Sequence, residues 1–160
     1  MPFIEIITDT KSQIELNKMM SKELVNNCDI MFIKEKNIEN IKNIKLETLI
    51  INKEINNNEF IQKIIWNTKN LIFNLDLNEK LIEEKNVNKT IKIITMGYNS
   101  KSDITVSSVT EDEALICVQN KIESIYGKII YPQEVKVDVK SGLNIYNIML
   151  IIALTCLYAR

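Results

Sequence analysis

The chain has 160 residues, 46% of them hydrophobic and 26% charged, with 3 Gly and 2 Pro, a composition that excludes disorder and low-complexity structure and suits one globular core. Its 20 Lys+Arg against 21 Asp+Glu leave a net charge of -1, which supplies no bulk attraction to nucleic acid or to an anionic membrane. Histidine is absent, so no imidazole of this chain can serve as general base, proton shuttle or metal ligand.

In chain order, Phe3 to Ile7 reads as a strand, Ser12 to Asn27 as a helix with Leu16, Met20 and Leu24 on one face, and Asp29 to Lys34 as a second strand. A polar stretch follows, then a strand Leu46 to Ile51. A helix from Asn58 carries Phe60, Ile61, Ile64 and Ile65, and Trp66 at its end reads as core, because it follows that apolar face, or else as an interface anchor. A strand Asn70 to Leu75, a short helix Asn78 to Lys85 and a strand Ile91 to Thr95 complete this part. Strands separated by helices imply a mostly parallel sheet with crossover connections.

From Asp103 the pattern changes. Asp103 to Val109, Glu113 to Val118, Ile122 to Tyr126, Lys128 to Tyr131 and Glu134 to Val139 are strand candidates joined by short turns, which predicts an antiparallel meander. Leu143 to Arg160 then reads as a nearly apolar helix. Its uncharged stretch approaches the lower limit for a bilayer span, but Asn144, Asn147 and Thr155 dilute it, so a buried or interface-forming helix is expected instead of a membrane anchor. The fold class expected is a three-layer α/β domain, Rossmann-like or P-loop-like, with a parallel part over 1–98, an antiparallel extension over 99–141 and a C-terminal helix over 142–160 packed back on the sheet.

Arg occurs only at Arg160, while Ile, Asn and Lys crowd the chain; an AT-rich coding bias accounts for this, and runs such as Asn56 to Asn58 read as solvated surface. Cys28, Cys117 and Cys156 are scattered without C-x-x-C spacing, which suggests neither a disulfide framework nor a zinc site and fits a reducing cytoplasm. No basic region precedes the first strand and Glu5 interrupts it, so no signal peptide is read there. Glu111 to Glu113 falls in an expected turn, and Ser107 and Ser108 on an expected strand face.

An α/β domain binds ligands at the C-terminal ends of its strands, and the first such loop is Thr8, Asp9, Thr10, Lys11 and Ser12. Lys11 and Ser12 have the order of a phosphate loop, but the glycines that let backbone N–H groups converge on an anion are missing. Ser12 and Glu15 have the spacing of a capping box, which would satisfy the helix N-terminus internally, and Asp9 would repel an anion.

Several motifs together resemble the central, ATP-binding domain of the Mur ligase family over nearly the whole chain. Ile4-Glu5-Ile6-Ile7-Thr8-Asp9-Thr10-Lys11-Ser12 is similar to the pattern I-x-[IV]-T-G-T-N-G-K-[ST]-[ST] that opens that domain. Leu49-Ile50-Ile51-Asn52 resembles the strand ending in T-N, and Leu71-Ile72-Phe73-Asn74-Leu75-Asp76 the L-[IV]-x-N-x-D-D segment. Ile94-Thr95-Met96-Gly97-Tyr98 is similar to the T-[YF]-G strand end, and Gly142-Leu143-Asn144-Ile145-Tyr146-Asn147-Ile148 to the G-x-H-N-x-x-N-A-L helix start. The family's members are ATP-dependent amide ligases that form and displace an acyl phosphate. Here the loop glycines, the D-H pair after Asn52 and the histidine at Leu143 are gone, and the magnesium-binding acid and modified lysine have no counterparts.

The resemblance and its departures together suggest a degenerate central domain: a non-catalytic interaction or scaffold module, without cofactor, open to a protein partner. Separately, Ile148, Leu150, Ile151, Ile152, Leu154 and Leu157 cover too much of the C-terminal helix for one core-facing stripe, which predicts pairing with a second copy through that helix. Alternatives are a binding protein for a small metabolite or nucleotide, or a ligase subunit completed by other chains. Any remnant cofactor site would comprise Thr8, Asp9, Thr10, Lys11, Ser12 and Asn74.

Overall fold

The computed structural model describes residues 2–20, 22–56, 59–83, 90–139 and 142–160. The parallel part consists of β1 (Phe3–Ile7), β2 (Asp29–Ile33), β3 (Leu46–Ile51), β4 (Thr68–Asn74) and β5 (Lys92–Met96). The remaining strands are β6 (Ile104–Val109), β7 (Glu113–Val118), β8 (Ile122–Glu123), β9 (Ile129–Ile130) and β10 (Gln133–Asp138). The helices are α1 (Thr10–Met19), α2 (Lys22–Asn27), α3 (Ile61–Trp66), α4 (Leu75–Asn78), α5 (Lys80–Glu83) and α6 (Ile145–Leu157), with a 3-10 helix over Glu35–Ile41.

One 8-stranded sheet runs in the order β10-β7-β6-β5-β4-β3-β1-β2, and β8 pairs with β9 in a separate antiparallel hairpin. The strands from β2 to β5 are parallel. β6 meets β5 in parallel at a single register pair, Met96 with Ile104, and then joins β7 and β10 in antiparallel ladders. The chain is thus an α/β fold with a mostly parallel sheet, an antiparallel extension and a C-terminal helix folded back on it.

Strands buried on both faces read as continuous apolar runs, because neither side of the pleat meets water. On one face Ile4, Ile6, Ile50, Ile72 and Ile94 pack under α1 and α6. On the other, Ile7, Leu49, Ile51, Leu71 and Phe73 pack under the 3-10 helix and α3 through Ile38, Ile61, Ile64 and Ile65. These layers place the C-terminal ends of β1 to β5 on one edge of the sheet, where their connecting loops gather.

Several boundaries depart from the sequence reading. The first helix begins at Thr10 with Asp9 as its N-cap, whose carboxylate accepts from the Ser12 N–H; Ser12 is not the cap. Glu15 likewise does not close a capping box and accepts from the backbone N–H of Asn144 at 2.7 Å. The expected helix Ser12 to Asn27 is divided, because Met20 turns to extended geometry (ψ 128°) while its side chain stays buried. The polar stretch after β2 holds the 3-10 helix, anchored by the fully buried Ile38. The expected helix limits at Asn58 and Lys85 lie outside the described residues.

The strands expected over 122–126 and 128–131 shrink to β8 and β9, because the buried Ser124 hydroxyl accepts from the N–H groups of Tyr126 and Lys128 and closes a turn there. Trp66, expected to extend the core face of its helix, is 46% exposed. α6 starts at Ile145 behind its N-cap Asn144 and buries Ile148, Met149, Leu150, Ala153, Leu154, Cys156 and Leu157. It packs against the sheet, α1 and the hairpin segment, where the Ile125 N–H donates to the Leu157 carbonyl at 2.8 Å, and leaves Ile151 and Ile152 only partly buried. Among the described residues no helix is long and apolar enough to cross a membrane.

Candidate functional site

β1 lies between β2 and β3, so the chain winds away from it in opposite directions, and the crevice at the C-terminal ends of β1 and β3 is the topological switch point of the sheet. Thr8 and Asn52 flank that crevice. Thr8 is half-buried, and its hydroxyl donates to the Asn52 carbonyl at 3.4 Å. Asn52 Nδ2 donates to Asn147 Oδ1 at 2.9 Å, and Asn74 Nδ2 to Asn52 Oδ1 at 3.4 Å. Asn74 also caps α4, its Oδ1 accepting from the Asp76 N–H at 3.1 Å.

Asn52, Asn74 and Asn147 are all buried, so their amides form a polar cluster inside the strand ends. Such a cluster is costly unless each group is paired. Asn147 Nδ2 is not: it is buried with no hydrogen-bond partner.

Above this cluster sits Asp76, at the start of α4. Its carboxylate accepts from the N–H groups of Tyr98 (2.6 Å) and Asn99 (2.9 Å) and from the Tyr146 hydroxyl (3.1 Å). The Tyr98 and Tyr146 rings meet edge to face with centroids 5.5 Å apart. Burial, together with the hydrogen bond to Asp76 and its negative charge, pushes the Tyr146 phenol up to about 12. The loop after β5 is thereby tied to α4 and α6 through one carboxylate.

The phosphate-loop positions show different arrangements. Thr10 and Lys11 are exposed at the start of α1, whereas Ser12 is 3% exposed. The Asp9 carboxylate accepts from the Ser12 N–H and from the Ser12 hydroxyl, each at 2.9 Å. Burial alone would raise the Asp9 carboxyl, but these bonds and the Lys11 N–H outweigh it and hold it below the usual range. A helix N-terminus receives a phosphate through its free N–H groups, and here a side chain of the same loop already takes them.

Of the remnant site residues, the fold joins Thr8 and Asn74 through Asn52, and joins Asp9 to Ser12 in the cap, where Lys11 takes part through its backbone N–H while the residue itself is exposed. The sequence reading did not place Asn52, Asp76, Tyr146 or Asn147 among site residues. Asn52 follows the end of β3, Asp76 lies two residues after β4, and Tyr146 and Asn147 open α6, but convergence of segments so far apart is a property of the sheet order. Among the described residues no three His, Cys, Asp or Glu side chains gather as a metal site, and the cysteines are free thiols, with Cys28 and Cys156 buried.

No protein-family model matches the chain, and no curated protein matches it.

Proposed function

We propose that this chain is a non-catalytic interaction or scaffold module built on a degenerate version of the Mur ligase central domain. The observation that carries the reading is the Asp9 carboxylate seated on the Ser12 N–H and hydroxyl. Phosphoryl transfer needs a loop that cradles the phosphates, a cation and a positioned nucleophile acting together. In this loop an internal anion occupies the N–H groups and opposes a phosphate by charge. Calorimetry with ATP and magnesium should give a Kd no tighter than about 1 mM, and a micromolar constant would overturn the reading.

The partner in this reading is a second copy or another protein that covers the outer flank of α6. What supports that surface is an open groove of about 610 Å³ between α6 and the β9–β10 segment, lined by Ile130, Tyr131, Val135 and Ile152. Tyr131, at its edge, is 68% exposed. Sedimentation at micromolar concentration should detect a homodimer, and Ile152→Lys should yield folded monomers. A parent chain that stays monomeric throughout that range would remove the second copy as partner.

One observation favours a second reading, a binding protein for a small metabolite. The unpartnered Asn147 Nδ2 faces no acceptor of this chain, and a ligand carboxyl or carbonyl reaching the strand ends would supply one. A thermal-shift screen of small carboxylates separates the readings, because only the second predicts stabilisation that is lost in Asn147→Ala.

A further inference from the structure

The opposite edge of the sheet holds a second feature, unrelated to the strand C-termini. Glu5 is the one acidic residue in the apolar run of β1, on the face it shares with Ile7, and its register neighbours are Met31 on β2 and Leu49 on β3. The layer formed by the 3-10 helix and α3 covers Ile7 but leaves the N-terminal ends of the strands beneath an open cavity of about 840 Å³. Glu5 lines that cavity while being 3% exposed, and its Oε2 is buried with no hydrogen-bond partner.

A central strand does not bury an unpaired carboxyl without cost, since a hydrophobic side chain there would be more stable. Glu47, on the same face of β3, lines the cavity as well, and its Oε2 accepts from the Phe3 N–H at 3.2 Å. Among the described residues neither carboxylate forms an ion pair. Lys45 and Lys69 line the same cavity but are exposed, so the negative groups lie deep and the positive ones at the rim.

The walls are apolar. Trp66, Ile44 and Met31, exposed by 46%, 49% and 46%, all border this one cavity. Exposed large apolar side chains that converge on a concave site with a few buried polar groups are the composition of a small-molecule pocket, and the volume lies in the range such pockets occupy.

We infer that this cavity binds a small organic amine, its ammonium set against Glu5 and Glu47 and its apolar body against Trp66 and Ile44. A bare metal ion fits less well, because a hard cation takes six or more oxygen ligands and the described residues gather no acidic trio. An ammonium needs only a few acceptors, and an aromatic or alkyl body would cover the apolar walls. The state of Glu5 agrees: burial pushes its carboxyl up to about 7 against the lowering by its own backbone N–H, and the charge of Glu47 adds to the rise. A cation at this place would restore the ionised form.

Trp66 is the chain's single tryptophan, so its emission reports directly on the cavity. The experiment titrates the protein at about pH 8 with phenethylamine and, separately, with phenethyl alcohol, which has the same body without the charge. Expected are a saturable change in Trp66 emission and a raised melting temperature with the amine, binding of the alcohol weaker by about tenfold or more, and a loss of about tenfold in amine affinity in Glu5→Gln. The inference is overturned if the alcohol binds as well as the amine, if folded Glu5→Gln keeps the parent affinity, or if no saturable change occurs up to about 10 mM amine. Should Glu5→Gln fail to fold by circular dichroism, Glu47→Gln is held to the same criterion.

Discussion

A Cβ at Gly97 would lie 2.7 Å from Asp76 Oδ1 and 2.8 Å from Asp76 Cγ and Oδ2. Two backbone N–H groups and the Tyr146 hydroxyl hold that carboxylate, so it cannot swing aside without losing them. Gly97 also has φ +154°, where an L side chain is strained. Gly97→Ala should therefore destabilise the domain by about 2–4 kcal/mol in urea denaturation. In an Asp76→Ala background the same change should cost less, because the colliding group is gone. Equal costs in both backgrounds would show that the glycine is required for its backbone alone.

The cap at α1 gives a prediction that separates three neighbouring side chains. Asp9→Ala should cost about 1 kcal/mol through loss of the N-cap, and Ser12→Ala should cost a similar amount because its hydroxyl bond to Asp9 is lost. Lys11→Ala, at an exposed position, should stay within about 0.5 kcal/mol. Melting temperatures of the three variants decide the matter; a Lys11 effect larger than that of Asp9 would mean the loop is held by something other than the cap.

Glu5 makes stability depend on pH in a direction opposite to that of a paired carboxylate. Its folded value of about 7 lies above the ordinary 4.5, so the native state keeps a proton that the unfolded chain has released. Its favourable contribution is complete below about pH 4.5 and is lost as pH rises through about 7, a decline of roughly 1–3 kcal/mol. Urea denaturation of the parent and of Glu5→Gln across that window tests it. The variant should flatten this part of the profile, and parallel profiles would refute the assignment.

Asn147 should be intolerant of charge. Asn147→Ala removes the acceptor of Asn52 Nδ2 inside the amide cluster and should cost about 2–3 kcal/mol. Asn147→Asp keeps an acceptor but places a carboxylate at a fully buried position, and at neutral pH it should destabilise more than alanine does. Chemical denaturation at about pH 4 and about pH 8 distinguishes the two, since protonation should recover part of the loss only in the aspartate variant.

The parallel strands were legible because burial on both faces forces runs such as Leu49-Ile50-Ile51 and Leu71-Ile72-Phe73, which no exposed segment would carry. The 3-10 helix was not, because its single fully buried side chain, Ile38, is surrounded by Lys, Asn and Glu and leaves no helical period to detect. The α1 boundary shifted because Asp9 and Ser12 are both good caps, and only tertiary placement of the buried Ser12 decides between them. In the site, Thr8 and Asn74 were legible as strand-end residues. Their link through Asn52 to Asn147 depends on a contact across 95 positions in the chain, and nothing local encodes it. Glu5 was visible as a charge within an apolar strand, but the cavity beside it and the exposed Trp66 that borders it are made by the stacking of distant segments.

The face of the sheet carrying Ile4, Ile6, Ile50, Ile72 and Ile94 is roofed by α6 through Met149, Leu150, Ala153 and Leu154, and the Tyr158 hydroxyl closes the roof on Thr48 Oγ1 at 2.7 Å. On a ribosome those strands are made long before their cover. A nascent chain that has reached β5 has β1 to β5 in hand, yet only the segment around α1 covers that apolar face until Ile145–Leu157 has been added. Premature termination anywhere ahead of α6 therefore yields a sheet with one side largely uncovered, which should self-associate, and translation speed over the last stretch sets how long the growing chain depends on chaperones.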